Sequence, residues 1–346
     1  MTSQYISAFS KLGEIMLNLG ANKPWSGFPS GITEEEYKDF QKLIGMIHHK
    51  NHWFTEDNVR KSFTAWGKEL KEDQLNSWVS AYQFSNLDKK VGIIMAGNLP
   101  IVGMHDLVSV VLSNNIALVK LSSDDDQLIP ALLKILFNLC PEIETRINVV
   151  QKLEGFEAVI ATGSNNTSRY FEAYFKHVPN IIRKNRTSVA IVKNSISDEK
   201  LELLGKDIFD YYGLGCRNVT KIYFEAGFEL DRFFKAMYSF GDVVNMNKYA
   251  NNFDYHRTLF LLNQVKFLEN GFLILKEDED LYSPIGVLHY EYFESEEEVK
   301  KSIVDQSDQI QCVVSENEVE YGGSQKPKIS DYADGVDTMK FLGQLV

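Results

Sequence analysis

The stretch Val91-Gly-Ile-Ile-Met-Ala-Gly-Asn-Leu-Pro100 decides how the rest of the chain reads. Residues 91–97 form a continuous apolar run that stops at Gly97, the pattern of a strand buried on both faces of a sheet. Outward from it the pattern alternates. Residues 98–115 read as a helix and 116–123 as a second strand. Residues 124–140 read as a helix whose acidic first turn, Asp124-Asp125-Asp126, suits the helix dipole. Strands are expected at 147–151 and 156–164, then a helix at 168–178. Strand and helix alternating at this spacing build a doubly wound parallel sheet, which makes 86–180 a candidate Rossmann-type unit.

The alternation resumes after a boundary near 183–190. Strands are expected at 187–193, 219–225, 272–278, 286–293 and 310–315, with helices at 198–213, 229–241 and 296–306. The tail reads as loop and a short closing helix. Upstream, residues 1–85 read as helical, with Tyr5, Phe9, Leu12, Met16 and Leu19 at three- and four-residue spacing. Thr33, with Glu36 three residues on, has the form of a capped helix start. Trp53, Phe54, Phe63, Trp66, Trp78 and Tyr82 are expected in the core.

Composition excludes several classes of function. The 346 residues are 44% hydrophobic, enough to build two ordinary cores. A formal net charge of -12 repels phosphate backbones and anionic lipid, so no nucleic-acid partner is expected. No run approaches the apolar length of a membrane span. Lys11 and Glu14 interrupt the N-terminal apolar stretch and argue against a signal peptide. The three cysteines, Cys140, Cys216 and Cys312, are far apart and odd in number, so a reducing, cytoplasmic setting is expected rather than a disulfide framework. His48, His49 and His52 lie close together, but no cysteine or carboxylate pattern completes a site, and no metal is expected.

Four segments carry residues suited to chemistry. Cys216 follows two glycines in Tyr211-Tyr-Gly-Leu-Gly-Cys-Arg-Asn218, which leaves its thiol accessible beside the cation of Arg217, a setting that favours thiolate. Cys140 and Cys312 sit in apolar patterns and read as small core residues. Asn98 follows the first strand directly; it is an oxyanion donor or a plain helix N-cap. Lys120 ends the second strand, followed by Ser122 and Ser123, and can hold a ribose or phosphate or lie idle on the surface. Thr162-Gly163-Ser164 opens a helix whose N–H groups can receive a pyrophosphate or simply be capped. His105 is a proton shuttle or, by preference, a structural histidine.

Taken in chain order (Gly97-Asn-Leu-Pro100, Leu118-Val-Lys-Leu-Ser-Ser123, Ala161-Thr-Gly-Ser164, then Gly213-Leu-Gly-Cys216), the four segments resemble the aldehyde dehydrogenase superfamily. The resemblance puts that family's oxyanion asparagine on Asn98, its cofactor-ribose lysine on Lys120 with Ser122 beside it, its cofactor turn on Gly163 and Ser164, and its nucleophile on Cys216. Asp280-Leu-Tyr-Ser-Pro-Ile-Gly286 is similar to the family's acid-Ile-Phe-Gly-Pro segment. Asp280 would then stand where a glutamate usually meets the nicotinamide ribose. The nearest subgroup is the LuxC-like fatty acyl-CoA reductases, similar at Tyr212-Gly-Leu-Gly-Cys-Arg-Asn218, at Arg183-Lys-Asn-Arg-Thr-Ser-Val-Ala190 and at Asp331-Tyr-Ala-Asp-Gly-Val-Asp337. The resemblance covers about 86–340. Arg183 falls where hydrolytic members carry the glutamate that activates water.

The resemblance implies an α/β, aldehyde dehydrogenase-like fold: a Rossmann-type doubly wound cofactor domain plus a second α/β catalytic domain, with a helical N-terminal segment. The expected divisions are 1–85, packed on the cofactor domain; 86–183, binding the dinucleotide; 184–316, carrying the nucleophile; and 317–346, returning to the cofactor domain. The implied activity is NADPH-dependent reduction of a long-chain acyl-CoA to the aldehyde through an acyl-cysteine, with NADH the second choice of cofactor. Its alternatives are a reductase of another activated acid, such as an acyl phosphate, and a non-catalytic acyl-binding or partner subunit. A homodimer remains open.

Overall fold

A computed structural model describes residues 2–25, 27, 31–84 and 88–345. The expected division at 85/86 lies outside the described residues. Among those described, the chain forms two compact units, 1–184 with 328–346, and 185–327.

The first unit opens with four helices, α1 (Thr2–Gly20), α2 (Glu34–Met46), α3 (Glu56–Glu69) and α4 (Glu72–Ser80). The apolar stripe of α1 is buried, including Tyr5, Phe9, Leu12, Met16 and Leu19. Its backbone meets α3 at a glycine pair: a Cβ on Gly67 would lie 2.6 Å from the Gly13 carbonyl oxygen. Thr33 caps α2 as its sequence suggests, with Thr33 and Glu36 bonding reciprocally.

The sheet follows, with β1 (Lys90–Ile94), α5 (Met104–Leu112), β2 (Ile116–Lys120), α6 (Leu128–Leu139), β3 (Ile147–Val149), β4 (Ala158–Thr162), α7 (Asn165–Phe175) and β5 (Asn180–Arg183). The strands run in the order β3-β2-β1-β4-β5, all parallel. Alternate residues serve opposite faces. Val91, Ile93, Ala117, Val119, Ala158 and Ile160 join the large core with the N-terminal helices, α5 and α6. Leu118, Val159 and Ala161 join the other with Phe175 of α7. Burial on both faces is why β1 reads as an unbroken apolar run.

Two expectations need correction here. The helix after β1 starts at Met104 rather than at residue 98. The next helix starts at Leu128 and has no acid in its first turn. Asp125 is instead buried in the preceding loop, with 3% of its surface exposed. β5 is a strand that the sequence reading omits.

The second unit contains β6 (Thr187–Val192), α8 (Asp198–Phe209), β7 (Val219–Glu225), α9 (Leu230–Met237), α10 (Asn247–Leu262), β8 (Leu268–Glu269), β9 (Ile274–Glu277), β10 (Val287–Phe293), α11 (Glu296–Asp305) and β11 (Ile310–Val314). Its sheet order is β11-β6-β7-β10-β9-β8, parallel except for the antiparallel edge strand β8. α10 is also absent from the sequence reading. The closing segment, with α12 (Thr338–Gly343), belongs to the first unit. It is fastened there by Tyr332 and Asp337: the Trp78 indole N–H donates to the Tyr332 hydroxyl at 2.7 Å, and the Tyr82 hydroxyl donates to Asp337 Oδ2 at 2.9 Å.

Candidate active site

In the first unit the carboxyl ends of β2, β1 and β4 lie side by side. Asn98 stands exposed four residues beyond β1. It is not the N-cap of α5, a position taken by Gly103. The loop between is tied down from three sides. The Ser62 hydroxyl on α3 donates to the Pro100 carbonyl at 2.9 Å, and Asp125 Oδ2 accepts from the Ile101 N–H at 2.7 Å. Asn51 Nδ2 reaches the Gly97 and Asp124 carbonyls at 3.4 Å each. Ile101 is β-branched yet has φ +52°, a conformation that costs on the order of 1–3 kcal/mol and persists only where the surroundings hold it. Burial pushes the Asp125 carboxyl up to about 6, partly offset by its bond from Ile101.

Lys120 is exposed at the end of β2, and its carbonyl accepts from the Met95 N–H at 3.1 Å. Ser122 Oγ accepts from the Asp124 N–H at 3.2 Å. A Cβ on Gly97 would come within 2.7 Å of Ser122 Cβ, so glycine lets the loops after β1 and β2 close on each other. Ser164 caps α7, accepting from the Thr167 N–H at 3.3 Å. A Cβ on Gly163 would press on Phe171 and Thr167 at 3.0–3.1 Å. Asn98, Lys120, Ser122, Gly163 and Ser164 therefore share one edge of one sheet.

In the second unit the chain leaves α8 through Tyr211, Tyr212 and Gly213, with φ of 53°, 58° and 79°. Two successive left-handed tyrosines are strained for L-residues. The Asn218 N–H then donates to the Gly215 carbonyl at 3.0 Å, closing a four-residue turn that presents Cys216 to solvent just before β7. The Asn218 side chain, fully buried, accepts from the Gly215 N–H at 2.8 Å and donates to carbonyls at the end of α8. The Ser188 hydroxyl on β6 donates to the Cys216 carbonyl at 3.0 Å. Arg217 directs its Nε to the Ser324 carbonyl, while Asp207 accepts the N–H groups of Gly322 and Ser324 at 2.6 and 2.9 Å. Arg217 thus anchors the turn to the 322–324 loop. Cys140 is buried and Cys312 half-buried, and burial pushes both thiols up.

Asp280 is exposed on the loop before β10, and the backbone of that loop is pinned from the sheet beneath. Lys221 Nζ donates to the Glu279 carbonyl at 2.6 Å, and Thr220 Oγ1 to the Leu281 carbonyl at 2.6 Å. His289 Nδ1 lies 2.9 Å from the Asp280 carbonyl, and burial pushes its imidazole below the usual range. Lys221 is 1% exposed and ion-paired with Glu291. A small, partly open pocket lies beside the Cys216 turn, walled by Tyr212, Gly213, Val219, Thr220, Tyr249 and Gly286, among others.

Arg183, at the end of β5, is 6% exposed; its guanidinium contacts Asp106 Oδ2 at 2.5 Å and Thr338 Oγ1 at 3.2 Å. The imidazole of His105 sits among Trp66, Trp78 and Tyr332, with Nε2 2.9 Å from the Ile329 carbonyl. Burial lowers its pKa, and this cage is that of a structural histidine. From sequence, Asn51, Ser62, Ser188 and His289 had no role in the site, and Asp125 read only as part of a helix's acidic first turn. Lys221 carried a usable signal, a lone charge in the apolar strand 219–225.

The family model described as acyl-CoA reductase (LuxC) matches residues 73–239. That span contains Asn98, Lys120, Ser122, Gly163, Ser164 and Cys216 but not Asp280. Aldehyde dehydrogenase 21 from Physcomitrella patens superposes with a TM-score of 0.64 at 11% identity, over 98% of this chain and 87% of that one. The chain has the aldehyde dehydrogenase fold, and its segment 73–239 is similar to the LuxC acyl-CoA reductases. The NAD-dependent aldehyde dehydrogenase from Sinorhizobium meliloti gives 0.62 at 12% identity, over 95% and 73%. Lactaldehyde dehydrogenase from Escherichia coli gives 0.62 at 12%, over 91% and 74%. No curated protein matches the sequence. Among the described residues, no helix is long and apolar enough to cross a membrane.

Proposed function

We propose that this chain reduces an acyl-CoA, of long chain, to the aldehyde with NADPH, through a thioester on Cys216. The observation that carries the reading is the exposed Cys216, held on a tied-down turn within the segment that matches the acyl-CoA reductases. The residues fit a dinucleotide. Gly97 leaves room for Ser122, a side chain on Gly163 would crowd the turn opening α7, and Lys120 is exposed at the same sheet edge. Lys120, Ser122, Gly163 and Ser164 would hold the cofactor, with Asp280 at its nicotinamide ribose. The resemblance to the acyl-CoA reductases favours NADPH, and NADH is the weaker alternative.

In this reading the Cys216 thiolate attacks the acyl carbonyl. Asn98 and the backbone N–H of Cys216 stabilise the oxyanion, each by about 3 kcal/mol if they behave as such donors commonly do. Coenzyme A departs as the thiolate, which takes a proton from water, and leaves the acyl group on Cys216. The nicotinamide, when bound, supplies the hydride that brings the acyl carbon to the aldehyde level. The hemithioacetal then collapses, and Cys216 is free again.

Arg183 supports the choice of reductase over hydrolase. It stands where hydrolytic relatives of this fold would carry their water-activating glutamate, and a guanidinium committed to Asp106 cannot accept a proton. Incubation with an acyl-CoA and no cofactor tests this. Intact mass should rise by one acyl group, on Cys216, with one equivalent of free coenzyme A. The added mass should be absent in Cys216→Ala. Steady release of free carboxylic acid would make the chain a thioesterase and overturn the reading.

A further inference from the structure

We propose that Asn218 and Ser188 are positioning residues that together hold the Cys216 turn in its attacking conformation. The inference rests on the reading of Cys216 as nucleophile and extends it to two buried side chains that touch no reacting atom.

The proton bookkeeping of both groups is complete. The Asn218 carboxamide oxygen accepts from the Gly215 N–H at 2.8 Å. Its two amide protons serve three carbonyls at the end of α8, those of Asp207, Ile208 and Asp210, at 3.1, 3.3 and 2.8 Å. The last carbonyls of a helix lack partners within it. One planar side chain therefore caps α8 and grips the residue before the nucleophile. Only an amide offers an acceptor and two donors at this reach; a carboxylate of the same shape would face three carbonyl oxygens with no proton.

Ser188 works from the other side. Its N–H donates to the Asn218 carbonyl at 3.2 Å, and its hydroxyl donates to the Cys216 carbonyl at 3.0 Å. That uses its single proton. The Cys312 N–H, at 3.2 Å, and the Cys312 thiol, at 3.1 Å, must then both donate to Ser188 Oγ. Cys312 is fixed as a neutral thiol donor, not a second nucleophile. β6 and α8 thus grip the turn at Cys216, Asn218 and Gly215, on the far side of the left-handed Tyr211-Tyr212-Gly213 segment. Loss of either grip lets that segment relax and carry the thiol away.

The test uses the full-length chain with Ser188→Ala, Asn218→Asp and Cys216→Ala. NADPH oxidation with an acyl-CoA gives kcat and KM; mass spectrometry follows alkylation of the Cys216 peptide by iodoacetamide across pH. A thiol displaced by about 1 Å should cost roughly 10–100-fold in kcat, with KM for NADPH little changed. In Asn218→Asp the alkylation midpoint should also move to higher pH, because a carboxylate beside the turn opposes thiolate. If Asn218→Asp fails to fold, Ser188→Ala decides, since it removes only one hydroxyl. Folded Ser188→Ala with wild-type kcat and alkylation profile, while Cys216→Ala is dead, would overturn the clamp alone. Wild-type turnover by Cys216→Ala would overturn the nucleophile reading, and the clamp with it.

Discussion

Arg183 and Asp106 form a buried ion pair with side-chain exposures of 8% and 7%. Such a pair is weak evidence of stability as a whole, but removing one partner strands the other charge. Arg183→Met should therefore lower unfolding free energy by about 3–5 kcal/mol, read from the urea midpoint. A change below about 1 kcal/mol would mean Asp106 finds other compensation. Asp125 makes a different prediction. Its carboxyl is held at about 6, above the ordinary 3.8, by burial. Between those values the folded state binds more protons than the unfolded, so its contribution to stability is greatest in acid and is lost as pH rises toward 6. Asp125→Asn should remove this decline, seen as a flatter stability profile from pH 4 to 6. An identical slope in both proteins would refute the assignment. Neither role was legible in the sequence. Asp125 looked like part of a helix-start acid triplet, and its partner Ile101 gave no hint of left-handed backbone. Cys216 was legible because its Gly-Leu-Gly approach and polar neighbours fit no core pattern.

At the scale of elements, the sheet was readable and the irregular connections were not. β1 and β2 announce themselves because burial on both faces demands apolar runs, while β6, β7 and β10 remain legible as short segments rich in β-branched and aromatic residues. β5 has only two apolar residues, Ile181 and Ile182, and gave too little signal. α10 buries Tyr249 and Phe253 but exposes Tyr255, Leu261 and Leu262, so no single stripe marks it. The loop from Asn98 to Gly103 read as helix because of its apolar residues, yet only Ile101 joins the core shared with the N-terminal helices, and Val102 is exposed. The closing helix offers a test. Asp337 caps α12 through the Lys340 N–H at 2.8 Å and also accepts from Tyr82. Asp337→Ala should cost about 1–2 kcal/mol by loss of the cap. Amide exchange should quicken first in α12. Unchanged protection there would show that Tyr332 and the buried Met339 and Leu342 suffice.

Over the whole molecule, each unit gathers its candidate residues at one place. Asn98, Lys120, Ser122, Gly163 and Ser164 line the carboxyl edge of the first sheet; Cys216 and the Asp280 loop lie at the amino ends of β7 and β10 in the second. Residues 1–85 carried no motif, yet Asn51 and Ser62 from that segment hold the Asn98 loop, a role visible only once the helices are packed. Turnover tests the proposed reaction most directly. NADPH absorbance should be followed with a long-chain acyl-CoA, wild type against Cys216→Ala, with aldehyde and free coenzyme A measured as products. The wild type should oxidise NADPH stoichiometrically, and the variant should lose at least about a thousandfold, the scale at which removal of a nucleophile acts. Equal NADPH oxidation by both proteins would contradict the proposed reaction.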